Sequence, residues 1–150
     1  MRWSLQIQYG VYAMFDLAYN GREVPVQVRV IGERQAIPAR YLEQIFQRLR
    51  RAKLVRGKRG PGGGYTLARE PGDITLRDVV EAIEGPLAES LVPSPDGLEG
   101  DAGHRPAFLW EALAERVGDG LSATTLEDLC RQAARRAVER ADADSRTWVI

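Results

Sequence analysis

The sequence is poor in the side chains that most often bind metals or form disulfides. Its 150 residues include one cysteine, Cys130, and one histidine, His104. A single cysteine excludes an intrachain disulfide and any all-cysteine metal site within one chain. No apolar run approaches the roughly 20 residues that span a bilayer, and the first residues lack the pattern of a signal peptide. We therefore expect a cytoplasmic protein that does not enter a membrane.

The chain also lacks net charge, but its charges are unevenly distributed. Residues 1–69 contain 13 Lys/Arg and 4 Asp/Glu, whereas residues 70–150 contain 8 and 17. This asymmetry indicates a basic module that meets a polyanion, joined to an acidic module with another role. The alternative is one domain with two solvated faces. Seven basic residues and no acidic ones within residues 48–59 favour the polyanion.

Hydrophobic periodicity predicts a mainly helical chain. Helices are predicted over residues 7–18, after Pro38, after Thr75, after Pro106, and after Thr124 or Thr125. Residues 26–34 are ambiguous, because alternating valines suit a strand and the residues after them suit a short helix. Composition predicts a loop over residues 87–105, and Gly118 and Gly120 predict an interruption of the helix after Pro106.

The glycine-rich segment GPGGG, residues 60–64, is not the loop of a nucleotide-binding enzyme. Such a loop needs the order strand, G-x-x-x-x-G-K-[ST], helix. Here Lys58 precedes the glycines, and residues 65–67 after them have strand character. The segment is instead predicted to be the turn of a β-hairpin. We predict no catalytic residues and expect a protein that is not an enzyme.

The order of the predicted elements is that of a winged helix-turn-helix domain. Two helices precede a polar-faced third helix, which is followed by the hairpin and another helix. The polar face includes Arg51, and in the hairpin Arg56, Lys58 and Arg59 could neutralise DNA phosphates or enter the minor groove. The alternative is a plain surface hairpin whose glycines only satisfy the turn.

A specific motif combination carries a family resemblance. YLEQIFQRLR is followed closely by RGPGGGY. With the flanking segments, the chain resembles the bacterial winged-helix transcriptional regulators of the IscR/NsrR/CymR type, strongly over residues 1–86 and loosely over residues 106–130. The resemblance implies a homodimer that binds double-stranded DNA at a palindromic operator, usually as a repressor, with a long helix from each chain at the dimer interface.

The resemblance divides the chain and assigns its site residues. Residues 1–86 would form the winged-helix DNA-binding domain, residues 87–105 a degenerate sensor loop, and residues 106–150 a helical dimerisation region and tail. The implied DNA-contacting positions on the recognition helix are Arg40, Tyr41, Glu43, Gln44 and Arg48, and those on the wing are Arg59, Gly60 and Pro61. Along the helix after Pro106, the expected dimerisation residues are Leu109, Trp110, Leu113 and Val117.

The chain departs from the family where many members bind an iron–sulfur cluster. Those members carry three loop cysteines, whereas Val92, Leu98 and His104 stand about there in this chain. Some members add a ligand near position 8, which is Gln8 here. Because iron–sulfur clusters are held mainly by thiolates, we expect no conventional cluster and no other cofactor.

Several alternatives stay open. His104, with Asp96, Glu99 and Asp101, could bind a hard or borderline metal ion. Cys130 could be a buried structural residue or form a disulfide between two chains. The signal could also be a regulatory protein or a small ligand. A different class of function is a winged-helix protein-interaction module that no longer reads DNA.

Overall fold

The computed structural model describes residues 1–21, 23–94 and 103–141, and over these ranges the chain is mainly helical with one β-hairpin. This confirms the predicted fold class. No helix within the described residues is long and apolar enough to cross a membrane. The elements are α1 (Leu5–Asn20), α2 (Val28–Gln35), α3 (Ala39–Arg51), β1 (Val55–Lys58), β2 (Gly64–Leu67), α4 (Leu76–Glu84), α5 (Leu87–Ser90), α6 (Phe108–Ser122) and α7 (Leu126–Arg135), with a 3-10 turn at Pro71–Asp73.

Helix α1 extends beyond the predicted residues 7–18 at both ends. Ser4 is its N-cap, and the Ser4 hydroxyl accepts a hydrogen bond of 3.2 Å from the Ile7 N–H. The Gly21 N–H donates to the Leu17 carbonyl at 3.0 Å, which closes the last turn. Caps of this kind satisfy backbone groups that the helix itself leaves unpaired.

The ambiguous segment after α1 is a strand residue followed by a helix. Val26 pairs with Tyr65 through two backbone hydrogen bonds of 2.9 Å, so it adds a single bridge to the hairpin edge. Helix α2 then runs from Val28 to Gln35, and its C-cap, Ala36, lies in the left-handed region with φ of 55°. The strand pattern therefore applies at Val26 and the helix pattern applies from Val28 onward.

Helix α3 buries the predicted apolar stripe. Leu42, Ile45, Phe46 and Leu49 are all buried on one side of the helix. They pack in a single core with residues from α1, α2, β1, α4 and α7. Since fully burying one such side chain contributes about 1.5–3 kcal/mol, this stripe fixes which face of α3 remains for other contacts.

The glycine-rich segment is the turn of the predicted hairpin. Strands β1 and β2 are antiparallel, with Val55 opposite Leu67 and Lys58 opposite Gly64. Gly64 has φ of 141°, and a Cβ there would lie 2.4 Å from the Val26 carbonyl oxygen. Any side chain at this position would push the hairpin away from Val26, so glycine is required for the bridge.

Helices α4 and α7 begin side by side with the same cap. Thr75 and Thr125 each form a capping box with an aspartate three residues on, Asp78 and Asp128. The two caps also form an antiparallel bridge, in which the Leu126 N–H donates to the Ile74 carbonyl at 2.9 Å. Helix α7 packs against α1, and Leu126 is fully buried in the core. Helix α7 therefore shares the core of the winged-helix region.

Two features between these helices differ from the sequence-based expectation. Leu87–Ser90 form the short helix α5, although composition predicted a loop from residue 87. Helix α6 runs without interruption through Gly118 and Gly120 to Ser122. Glycine costs only about 1 kcal/mol relative to alanine inside a helix, so packing against neighbouring elements can override it. Gly118 is buried where α6 packs against α4.

Candidate DNA-binding surface

The polar face of α3 is exposed opposite the buried stripe. Arg40, Tyr41, Glu43, Gln44 and Arg51 are all exposed. Gln44 can pair with adenine, arginine with guanine, and Glu43 can accept from cytosine in the major groove of DNA. The face therefore combines donors and acceptors of the kind that read base edges.

Arg40 and Tyr41 form a unit at the beginning of α3. The Arg40 guanidinium lies 4.8 Å from the centre of the Tyr41 ring and donates a 3.1 Å hydrogen bond to the Tyr41 hydroxyl. The Tyr41 ring is also 6.1 Å from that of Tyr9 on α1. Tyr41 is 44% exposed, so it contacts α1 and is also partly open to solvent.

Arg48 differs from the other predicted positions because its guanidinium forms hydrogen bonds to residues of α1 and α4. Its Nη1 donates to the Gln6 side-chain oxygen at 2.9 Å and to the Ile83 carbonyl at 3.0 Å. The side chain thereby joins α3 to the end of α4. A role in DNA contact stays a prediction for Arg48, and it would require these hydrogen bonds to be shared or exchanged.

The wing presents the predicted basic residues to solvent. Lys58, Arg59, Gly60 and Pro61 are exposed, and Gly60, with φ of 87°, would have no neighbour within 4 Å of an added Cβ. A tip without bulky side chains can approach a sugar–phosphate backbone closely. The Tyr65 ring at the base of the hairpin stacks on Phe46 of α3, with centroids 4.6 Å apart. The wing and the polar face of α3 are thus held on one core.

Helix α6 carries an exposed apolar stripe. The four predicted dimerisation residues are each 36–44% exposed, and Phe108 at the beginning of the helix is 74% exposed. Ala114 and Gly118 face inward instead. Large side chains along one solvent-facing side of a helix are typical of an interaction surface.

Only part of the candidate metal-binding group lies within the described ranges. His104 lies in an exposed turn, whereas Asp96, Glu99, Asp101 and Leu98 lie outside the described residues. Among the described residues, no three His, Cys, Asp or Glu side chains are grouped as ligands. Cys130 is half-buried on α7, and burial raises the pKa of its thiol. A raised pKa disfavours the thiolate that oxidation and metal binding require.

A pocket of about 280 Å³ lies between α1 and the recognition face of α3. Its walls include Tyr9, Tyr41, Gln44 and Arg48. A second groove, of about 550 Å³, lies between the end of α1 and strand β2, and Arg56 and Arg69 are among its lining residues. None of the described residues between 87 and 105 lines either of them.

The chain is similar to a known family of regulators over most of its length. The family model for Rrf2, described as an iron-dependent transcriptional regulator, matches residues 3–132. The chain belongs to the Rrf2 family. The HTH-type transcriptional regulator IscR of Xenorhabdus nematophila is 37% identical over 147 residues, which cover 97% of this chain and 90% of the relative.

Solved Rrf2-type structures agree with the fold. T. potens IscR superposes with a TM-score of 0.74 at 35% identity, covering 94% of each chain. CymR, the global cysteine regulator of B. subtilis, gives a TM-score of 0.69 at 34% identity, covering 88% of this chain and 98% of that one. The family resemblance is confirmed, and the protein is a DNA-binding transcriptional regulator with a winged helix.

Sequence reasoning missed the contacts that position this surface. Nothing in the spacing of Gln6 and Arg48 indicates their hydrogen bond, because the two residues are 42 positions apart. The segment after α7 was also missed. Its Val138 carbonyl accepts from the Tyr19 hydroxyl at 2.7 Å, and the Ala141 N–H donates to Asn20 at 2.8 Å, which fastens this segment to α1. No local pattern indicates these contacts either, since Tyr19 and Val138 are 119 positions apart.

Proposed function

We propose that this Rrf2-family protein is a homodimeric repressor that reads a palindromic operator in the cytoplasm and has no enzymatic activity. The observation that carries the proposal is the exposed polar face of α3 beside the basic wing, on a shared core through the Phe46–Tyr65 stack. In a two-fold dimer the two recognition helices would enter half-sites about one helical turn, roughly 34 Å, apart.

The exposed stripe on α6 supports the dimer. Leu109, Trp110, Leu113 and Val117 would be buried against the same helix of a second chain, in an isologous interface. The resemblance implies the same helix as the dimer contact. Phe108 would extend the apolar surface at the end of that interface.

The donor set of this chain does not fit a conventional iron–sulfur cluster, although the family is described as iron-dependent. Such clusters need several thiolates, and the whole sequence contains one cysteine, which lies half-buried on α7. We therefore propose regulation without a cluster. The signal would be a partner protein or a small ligand, because the raised pKa of Cys130 disfavours an oxidation switch at that thiol.

The test compares two substitutions on duplexes selected from a random library. Gln44→Ala should lose about 1–3 kcal/mol of discrimination between the selected site and scrambled DNA, because the side-chain amide that would read one base is removed. Lys58→Ala should weaken binding to all duplexes alike and lower the salt dependence by about one counterion. Fluorescence anisotropy at several salt concentrations measures both effects.

Gln132→Ala provides the matched control, because this exposed glutamine lies on α7. It should behave like the wild type. Equal losses on specific and scrambled DNA for both test variants would show that α3 does not read bases. Absence of duplex binding by the wild type at low salt would contradict the regulator and leave the protein-interaction module.

A further inference from the structure

Gly118 on α6 lies directly under an arginine from α4. An added Cβ at Gly118 would be 3.1 Å from Nη1 and 3.2 Å from Cζ of Arg77. These distances are shorter than ordinary van der Waals contacts, so an alanine at this position would push the guanidinium or the helix aside by a few tenths of an ångström. Gly120 lies two residues further along the same helix, and nothing is within 4 Å of a Cβ added there. The contact is therefore specific to Gly118.

A hydrogen bond holds Arg77 to its own helix beside this contact. Its Nε donates a 2.7 Å hydrogen bond to one carboxylate oxygen of Glu81, one turn along α4. The other carboxylate oxygen of Glu81 accepts from the Leu87 N–H at 3.0 Å. Leu87 begins α5, which itself packs against α6. Glu81 thus fixes both elements that support α6, the Arg77 side chain and the beginning of α5.

The same helix α4 supports the recognition helix. It packs against α1 and α3, and the Arg48 guanidinium of α3 binds the Ile83 carbonyl of α4 at 3.0 Å. A continuous series of contacts therefore runs from the polar face of α3 through α4 to α6. Any change in the tilt of α6 on α4 would change the position of α3 relative to the apolar stripe of α6.

We propose that Arg77, packed on Gly118, is a positioning residue that sets the tilt of α6 and thereby the spacing of the two recognition helices in the dimer. The proposal rests on the homodimer formed through α6. Two half-sites must be met simultaneously at a fixed separation, so a change in tilt would weaken binding to the full operator and alter the preferred spacing. Binding to an isolated half-site would not change.

The test uses two alanine substitutions on the same helix. Gly120→Ala should retain the affinity and spacing preference of the wild type, since the new methyl group meets no atom of its own chain within 4 Å. Gly118→Ala gains the same helix propensity, yet it should lose about tenfold in affinity for the full operator, because neighbouring groups that must share space are energetically coupled. Affinities for operators with one base pair inserted or removed between half-sites measure the spacing preference.

A second substitution provides the rescue. In the Gly118→Ala/Arg77→Ala variant the guanidinium is gone, so affinity should return to that of Arg77→Ala alone, and any loss of dimer in Gly118→Ala should also be restored. Arg77→Lys adds no bulk and keeps the charge, but it lacks the planar fork. It should broaden the spacing preference, and this keeps the proposal testable if Gly118→Ala does not fold.

The outcomes separate this contact from the proposed function. Sedimentation equilibrium of the wild type tests the dimer, and a monomer would overturn the homodimer and this inference with it. A dimeric wild type with identical spacing preferences in Gly118→Ala and Gly120→Ala would overturn the positioning role alone. So would a Gly118→Ala/Arg77→Ala variant that binds the full operator more weakly than Arg77→Ala alone, or an unchanged preference in Arg77→Lys.

Discussion

A buried carboxylate joins the first two helices of the DNA-binding region. Asp16 on α1 is fully buried and accepts two hydrogen bonds from Arg34 of α2, at 2.5 and 3.1 Å. The amide groups of Gln35 and Asn20 donate to it at 3.0 and 3.3 Å. Asp16→Ala would leave these four donors without their acceptor. We therefore expect a large loss of stability from a residue that does not touch DNA.

The structure also sets the size of this loss. Removing one partner of a buried ion pair costs about 3–5 kcal/mol. The Arg34 side chain is 20% exposed and can recover some hydration, so Asp16→Ala should cost about 3 kcal/mol. Arg34→Ala should cost at least as much, because Asp16 has no access to solvent. For a chain of this length, 3 kcal/mol lowers Tm by about 6–12 °C.

Urea denaturation followed by circular dichroism measures both changes. The double variant Asp16→Ala/Arg34→Ala should cost less than the sum of the single variants, since each single change leaves one group unpaired. Glu33→Ala is the control. It breaks only the exposed Arg29–Glu33 pair, whose side chains are 67% and 65% exposed, and should cost less than about 1 kcal/mol. A loss for Asp16→Ala no larger than this control would refute the reasoning.

Two further predictions concern the candidate sensors. Burial raises the pKa of the Cys130 thiol, so the neutral thiol contributes stability below the unfolded pKa that is lost as pH rises through the folded pKa. Iodoacetamide should therefore alkylate Cys130 more slowly in the folded protein than in urea at mildly alkaline pH, and equal rates would contradict the burial. Protein purified without oxygen should be colourless and contain neither iron nor acid-labile sulfide, whereas stoichiometric amounts of both with a visible absorption band would overturn the cluster-free proposal.

Local signals in the sequence were sufficient for most of the helices and for the wing. The threonines that begin α4 and α7, and the apolar repeat of α3, are short-range patterns, and the structure confirms them. The prediction of a loop at residues 87–90 was wrong, because these residues form α5. The Leu87 N–H at its beginning bonds to Glu81, and this contact with the preceding helix is not part of the local composition.

The roles of single arginines could not be predicted in the same way. Arg40 and Arg48 occupy the same helix and were both assigned to DNA by resemblance. Only the packing of α1 and α4 around α3 shows that Arg48 bonds to Gln6 and Ile83 while Arg40 faces solvent. Charge and spacing are alike for the two residues, so no pattern in the sequence separates them.

By itself, the sequence determined the family, the order of elements and the lack of thiolates for a cluster. These properties depend on residue identity and on spacings within one helix or one turn. The tertiary structure alone decided that α7 completes the core of the winged helix and that Arg77 packs against Gly118. Residues far apart in sequence meet there, and such contacts depend on how the helices pack rather than on any local pattern.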